Sequence, residues 1–334
     1  MAIVGRQVSV IGAGSWGTTV AALAAAHGDV ALWARNPDVV REINDLHRNH
    51  QYLGTHALPM TVRADGELSS VVSGADVVAM AIPAKGFAEI ARAAAKFAKP
   101  GSIVVSLTKG LAAGSHLRMS ELLQESFPHC GVAVLSGPNL ASEIIAGQPA
   151  ASVVASTDEA VAREVGAALS TPLFRLYTNE DVVGCEIGGV VKNVIAIGAG
   201  IAQGFGFGDN AKAAVITRGL AEMTRLGVAL GARAETFSGL AGLGDLVATC
   251  ASMQSRNTQV GVRLGPGEPI DAIESSMQMV AEGVRASSLV VELAGEHGVE
   301  MPISEQVALV CQGHKSAADA LTNLLSRKSK AEFE

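Results

Sequence analysis

Aromatic residues are scarce in this sequence, only 4% of 334, so alanine, valine, leucine and glycine must pack the core, as suits tightly apposed helices and strands. Cysteine is scarce too: Cys130, Cys185, Cys250 and Cys311 lie far apart, with no CxxC pair. They read as reduced core thiols of a cytoplasmic protein, not as a disulfide framework, and no metal site is expected. Basic residues are outnumbered, 25 against 32 acidic, for a net charge of −7. That excludes a nucleic-acid binder relying on a broad basic surface, and any anionic ligand must be held by a few local cations. No window of about 18 residues is apolar without charge or clustered glycine, so no membrane span is predicted. An apolar run begins almost at once, which leaves no room for a signal peptide.

What is present is a change of pattern along the chain. A length of 334 residues suits two domains. Short apolar runs at 7–12, 29–35, 75–83, 102–110, 131–138 and 151–157 read as buried strands. Helical stretches, among them one from the first glycine cluster to Gly28, 86–98 and 115–126, lie between several of them. Alternation at this spacing predicts a mainly parallel sheet covered on both faces. After about residue 182 the strand runs stop, and helices are predicted at 186–202, 210–230, 233–238, 257–264, 269–275, 283–297, 303–312 and 316–325. The tail after Leu325 is polar.

GAGSWG, residues 12–17, is a G-x-G-x-x-G placed directly after a strand and opening a helix, the context that makes this motif informative. Gly12 permits the tight turn, Gly14 lets a pyrophosphate approach the backbone, and Gly17 lets helix pack on strand. The helix start then offers N–H groups and positive dipole to the anion. The fold class follows: an α/β Rossmann-type dinucleotide-binding domain at 1–184, then an all-α, substrate-binding domain at 185–334. The second strand ends in WARN, with Arg35 where an acid would grip a free ribose 2′-hydroxyl. A guanidinium matches a 2′-phosphate, which favours NADP(H), with NAD(H) the alternative. SLTKG (106–110) delivers Lys109 at a strand's carboxyl end, and SGPN (136–139) delivers Gly137 and Asn139 one strand later.

In the helical half, GGVVKNVIAIGAG (188–200) places Lys192 and Asn193 in an otherwise greasy helix. A buried ammonium shifts its pKa or finds a partner. Adjacent helical residues diverge by about 100°, so one can face a crevice while the other anchors backbone. Asp245, between Gly244 and Leu246, is the matching anion, able to hold the lysine and tune its pKa. Arg256 and Asn257, in QSRN (254–257), offer donors suited to phosphate oxygens.

GAGSWG, LTKG, SGP, GGVVKNVIAIGAG, NAKAAVITRGLAEMTRLG (210–227), GLAGLGDLVATC (239–250) and QSRN together resemble the bacterial NAD(P)-dependent sn-glycerol-3-phosphate dehydrogenases, in the same order and over almost the whole chain. The resemblance implies interconversion of dihydroxyacetone phosphate and sn-glycerol 3-phosphate by hydride transfer, supplying phospholipid synthesis, in a cytoplasmic homodimer with no nucleic-acid partner. It further implies Lys192 as general acid/base, Lys109 as a second lysine near substrate and cofactor, and Asp245 as the group orienting Lys192. Gly137, Asn139, Asn193, Thr249, Ser255, Arg256 and Asn257 fall at substrate positions. Ser15, Trp16, Arg35, Lys109, Ala141, Arg256, Val280 and Glu282 fall at cofactor positions. The chain departs from the family at Asn139, where threonine or serine is usual, and at VAEG (280–283), where VVEG is commoner. Two alternatives share parts of the pattern: a β-hydroxyacid or 6-phosphogluconate type of dehydrogenase, acting on carboxylates, and a non-catalytic NADP-binding protein.

Overall fold

The computed structural model describes residues 6–277, 281–328 and 331. The first part alternates β1 (Val8–Ile11), α1 (Ser15–Ala24), β2 (Val30–Trp33), α2 (Pro37–Leu46), α3 (His50–Leu53), β3 (Val62–Asp65), α4 (Leu68–Val72), β4 (Val77–Met80) and α5 (Ala84–Ala95). It continues with β5 (Ile103–Ser106), α6 (Met119–Ser126), β6 (Gly131–Ser136), α7 (Ala141–Ile145), β7 (Ala150–Ala155), α8 (Glu159–Leu169) and β8 (Phe174–Asn179). From there the described chain is helical: α9 (Val182–Gly204), α10 (Asp209–Ala229), α11 (Ala234–Phe237), a π-helical turn (Leu240–Gly244), α12 (Asp245–Ala251) and α13 (Arg256–Leu264). The last helices are α14 (Ile270–Ser276), α15 (Glu282–Glu296), α16 (Pro302–Cys311) and α17 (Ala317–Leu325).

The strands form one eight-stranded sheet in the order β3-β2-β1-β4-β5-β6-β7-β8. Neighbours run parallel except β6 and β7, which are antiparallel. The connection from Ser136 to Ala150 holds only the one-turn α7, too little for a covered crossover, so the chain turns straight back. β1, β4 and β5 are buried along their whole length. Alternate residues serve two layers: Val10 and Val105 pack with Val20, Val165 and Leu169, while Val78 and Val104 pack with Phe87 and Leu123. The chain reverses direction across the sheet between β1 and β4, which opens a crevice at the strands' carboxyl ends.

The helical half is built around α9, in which every residue from Gly184 to Ile197 is buried. By length and composition α9 could cross a membrane, but 83% of its most apolar window is enclosed by the protein, so it is a core helix. Two sequence expectations are corrected. The first helix stops at Ala24, four residues before Gly28, because Ala26 and His27 turn back onto Leu23 and Ala24. The helix expected over 115–126 begins only at Met119, because an antiparallel bridge between Leu111 and Arg118 folds the preceding residues into a loop.

Candidate active site

The glycine motif forms the first wall of the crevice. Gly12 has φ +112, and a Cβ there would sit 2.5 Å from the Ala81 carbonyl oxygen; one on Gly17 would sit 1.9 Å from that of Gly12. Both positions exclude any larger residue, whereas a Cβ on Gly14 would meet nothing within 4 Å. No side chain caps α1, so its leading N–H groups and dipole face that open space, a fit for a dinucleotide pyrophosphate. The Ser15 hydroxyl donates to the Tyr52 carbonyl at 3.0 Å. Trp16 packs edge-on to Phe174, and its buried Nε1 has no partner in the protein. Thr19 Oγ1 reaches the Ala141 carbonyl at 3.5 Å, which sets Ala141 beside α1. Arg35, just past β2, is exposed and lies 5.9 Å over the Trp33 ring.

The second wall is ionic. Lys109 Nζ donates to Asp245 Oδ2 at 2.7 Å and to the Gly137 carbonyl at 2.8 Å. Lys192 Nζ donates to Thr249 Oγ1 at 2.8 Å and lies 3.2 Å from Asp245 Oδ1, while Thr249 donates to the same Oδ1 at 3.3 Å. Lys192 is 8% exposed and Asp245 only 2%. Burial, helped by repulsion from Lys109, brings the Lys192 ammonium down to about pKa 8, against the attraction of Asp245. Asp245 was expected to orient Lys192; it bridges both lysines and is closer to Lys109.

Local sequence explains this convergence. A Cβ on Gly188 would lie 2.6 Å from the Ala241 carbonyl oxygen, so the bare helix lets the π turn press on α9 and swing Asp245 toward Lys192. A Cβ on Gly189 would lie 3.1 Å from both Lys109 Cγ and Ser136 Oγ. The glycine pair is therefore the seat of the π turn on one side and of the Lys109 stem on the other. Ser136 is a residue the sequence did not single out: its hydroxyl is buried beside that stem without a protein partner. In sequence it is one serine at a strand end.

The remaining expected residues divide into two groups. Asn193 donates to the Gly189 carbonyl at 3.2 Å and accepts from Asn257 at 2.8 Å, and Asn257 also accepts from Gly283 N–H at 2.9 Å. Asn257, expected as a phosphate donor, thus joins α9, α13 and α15. Ser255 caps α13 by accepting from Thr258 N–H. Arg256 keeps contact with solvent; surrounding protein lowers its pKa while Glu282 opposes the change. Burial raises the Glu282 carboxyl, which Arg256, Arg285 and the Ala84 N–H pull down. Asn139 has both amide heteroatoms buried with no partner in the protein, a cost of about 1–3 kcal/mol that a bound polar ligand would relieve. Val280 lies outside the described residues. The two walls meet along one rim: Gly12 abuts Ala81 and Ile82, Thr108 donates to the Ile82 carbonyl at 2.6 Å, and Ala84 reaches Glu282.

Comparison with known proteins agrees with this geometry. The family described as NAD-dependent glycerol-3-phosphate dehydrogenase matches through its N-terminus over residues 7–162 and its C-terminus over 181–322. Glycerol-3-phosphate dehydrogenase (NAD(P)+) 2 of Sphingopyxis alaskensis is 50% identical over 319 residues, 96% of each chain. Glycerol-3-phosphate dehydrogenase (NAD(P)+) 1 of Mycobacterium tuberculosis is 45% identical, covering 96% of this chain and 94% of its own. The crystal structure of glycerol-3-phosphate dehydrogenase from Coxiella burnetii superposes with TM-score 0.92 at 36% identity, over 96% of this chain and 99% of that one. Matched in both halves and along nearly its full length, the chain belongs to the NAD-dependent glycerol-3-phosphate dehydrogenase family.

Proposed function

We propose that this chain is an oxidoreductase that interconverts dihydroxyacetone phosphate and sn-glycerol 3-phosphate with NAD(P)H, the product supplying the glycerol backbone of phospholipids. The observation that carries the reading is Asp245 bridging Lys109 and Lys192, 2.7 and 3.2 Å away, on the rim that holds the glycine motif. Two ammonium groups and one carboxylate leave one net positive charge, suited to a phosphorylated ketose whose oxygen gains charge as it is reduced. A bound reduced nicotinamide dinucleotide supplies the hydride. Lys192 donates the proton to the C2 oxygen, and in the reverse direction its neutral form accepts the proton of the hydroxyl. Asp245 and Thr249 hold Lys192 in place, and Lys109 polarises the same oxygen. Asn139 and Asn193 align the substrate, with Gly137 at the base of the loop. The phosphoester end rests at the start of α13, on Arg256 with Ser255, while Asn257 braces α13 against α9 and α15.

Arg256→Ala is expected to raise KM for dihydroxyacetone phosphate by about ten- to a hundredfold, since hydrogen bonds to charged groups contribute roughly 1.5–3 kcal/mol. The effect on unphosphorylated dihydroxyacetone should be much smaller; equal losses would remove phosphate recognition from Arg256. NADP(H) is the proposed cofactor, because Arg35 is exposed at the end of β2 with its guanidinium available to a 2′-phosphate. Arg35→Asp should lower the ratio of kcat/KM for NADPH over NADH by about tenfold or more on the same reasoning, and an unchanged ratio would overturn the preference. The described cysteines are all free thiols, in keeping with the cytoplasm as the proposed compartment; the proposed assembly, a homodimer, rests on the family resemblance alone. Spectrophotometric NADPH oxidation on adding dihydroxyacetone phosphate tests the whole reading. No oxidation with this substrate, alongside turnover of a keto acid, would replace it with the carboxylate alternative.

A further inference from the structure

Residues 111–118 follow Lys109 and precede α6, so in sequence they belong to the sheet domain. In space they are fastened to the helical one. The Leu111–Arg118 bridge and the Ala112 N–H to Leu117 carbonyl bond, 2.9 Å, close the segment into a loop. Leu111, at its base, is buried in the same apolar cluster as Val190, Val191 and Val194 of α9. Near its tip His116 has φ +54, a left-handed backbone unfavourable for a residue with a Cβ and kept only where contacts enforce it. Those contacts are two carboxylates on α15: His116 Nε2 lies 3.0 Å from Glu292 and Nδ1 3.2 Å from Glu296. At the far end Arg118 lies 2.9 Å from Glu186, a buried carboxylate on the helix that carries Lys192, and Ser120 donates its N–H to the same group at 2.9 Å.

We propose that this loop is a strap that sets Lys109 against Asp245, with His116, Glu292 and Glu296 as positioning residues of the reaction. Lys109 and Asp245 come from different domains, and a lysine side chain has many rotamers to lose. On the sheet side the backbone at Lys109 is held through Thr108 and the Ile82 carbonyl. The strap supplies the opposite anchor, so the ammonium is bracketed between both domains. Loosening it leaves every group that touches substrate in the chain but lets Lys109 drift, and displacements of an ångström can cost up to about 10²-fold in rate. The inference rests on the reading of Lys109 as part of the active site.

Two variants test it from opposite sides. His116→Gly removes the imidazole while suiting the left-handed backbone; the Glu292→Gln/Glu296→Gln pair removes both carboxylates from half-exposed positions on α15. Each should lower kcat for dihydroxyacetone phosphate on the order of tenfold with KM for NADPH unchanged, and neither should lower it further when combined with Lys109→Ala. His116→Asn, which tolerates this backbone and keeps an N–H donor, should recover part of the loss. Amide exchange of the resting protein should quicken across 107–118 and stay unchanged in α9. Unaltered kcat, effects that multiply with Lys109→Ala, or unaltered exchange around Lys109 would each overturn the strap. A wild-type protein inactive on dihydroxyacetone phosphate would instead sink the proposed reaction, while the exchange measurement, made without substrate, would still judge the strap.

Discussion

Replacing Lys192 with alanine should lower turnover by about 10²–10⁴-fold, the range for losing a general acid/base, or ~2.7–5.4 kcal/mol of barrier. The fold should survive. Alanine favours a helix, the substitution removes a desolvated ammonium from the core, and Asp245 keeps Lys109 at 2.7 Å. Unfolding temperature should therefore stay close to that of the parent protein while activity collapses, and that pairing distinguishes a chemical role from a structural one. Lys192→Arg sharpens the test: it keeps a cation near Asp245, but a guanidinium does not surrender its proton near neutrality. Steady-state kinetics on both variants should show comparable losses. Near-normal turnover in Lys192→Ala would reject the proton-transfer role outright.

The elements that sequence reading recovered are those whose environment is uniform along their length. β1, β4 and β5 are buried on both faces, so they appear as unbroken apolar runs. β3 (VRAD) and β8 (FRLYTN) lie at the two ends of the sheet with exposed Arg63, Arg175 and Tyr177, and their polar residues concealed them. The antiparallel return of β7 was equally hidden, because strand direction depends on the length of a connection and not on the strand's own residues. At the site, Lys192 and Asp245 were legible because charge is costly in a greasy helix or between glycine and leucine. The sharing of Asp245 with Lys109 was not, since their partnership crosses two domains. Asn257 misled for a related reason: an amide next to an arginine suggests phosphate, yet its hydrogen bonds go to Asn193 and Gly283. The strap contacts of His116 and Arg118 leave no trace in spacing, because their glutamates sit on α9 and α15, far along the chain.

Asp245→Asn should separate the site's two duties, holding charge and holding shape. The amide has nearly the carboxylate's size, but only its one oxygen accepts: facing Thr249 and Lys192 it keeps those contacts, while its NH2 meets the Lys109 ammonium, and the anion is gone. Burial and the Lys109 charge, which depress Lys192, remain, so its pKa should fall below the present value of about 8. Reduction needs the ammonium form. In the parent protein its rate should decline as pH rises through about 8, while the oxidation rate should rise over the same interval. In the variant both breaks should move to lower pH, and reduction at slightly alkaline pH should be the activity most severely lost. Stability should respond in the opposite sense. Lys192 titrates lower in the folded protein than its ordinary 10.5, so between about 8 and 10.5 the unfolded chain binds more protons and stability rises with pH. Without Asp245 this window should extend downward. Leaving buried lysines without their anion should also cost about 3–5 kcal/mol where both are charged, less as Lys192 loses its proton. Denaturant titrations and pH–rate profiles on one preparation would read both effects. An unmoved break in the rate profile would mean that Asp245 does not set the proton affinity of Lys192, and that Lys109 alone is its electrostatic partner.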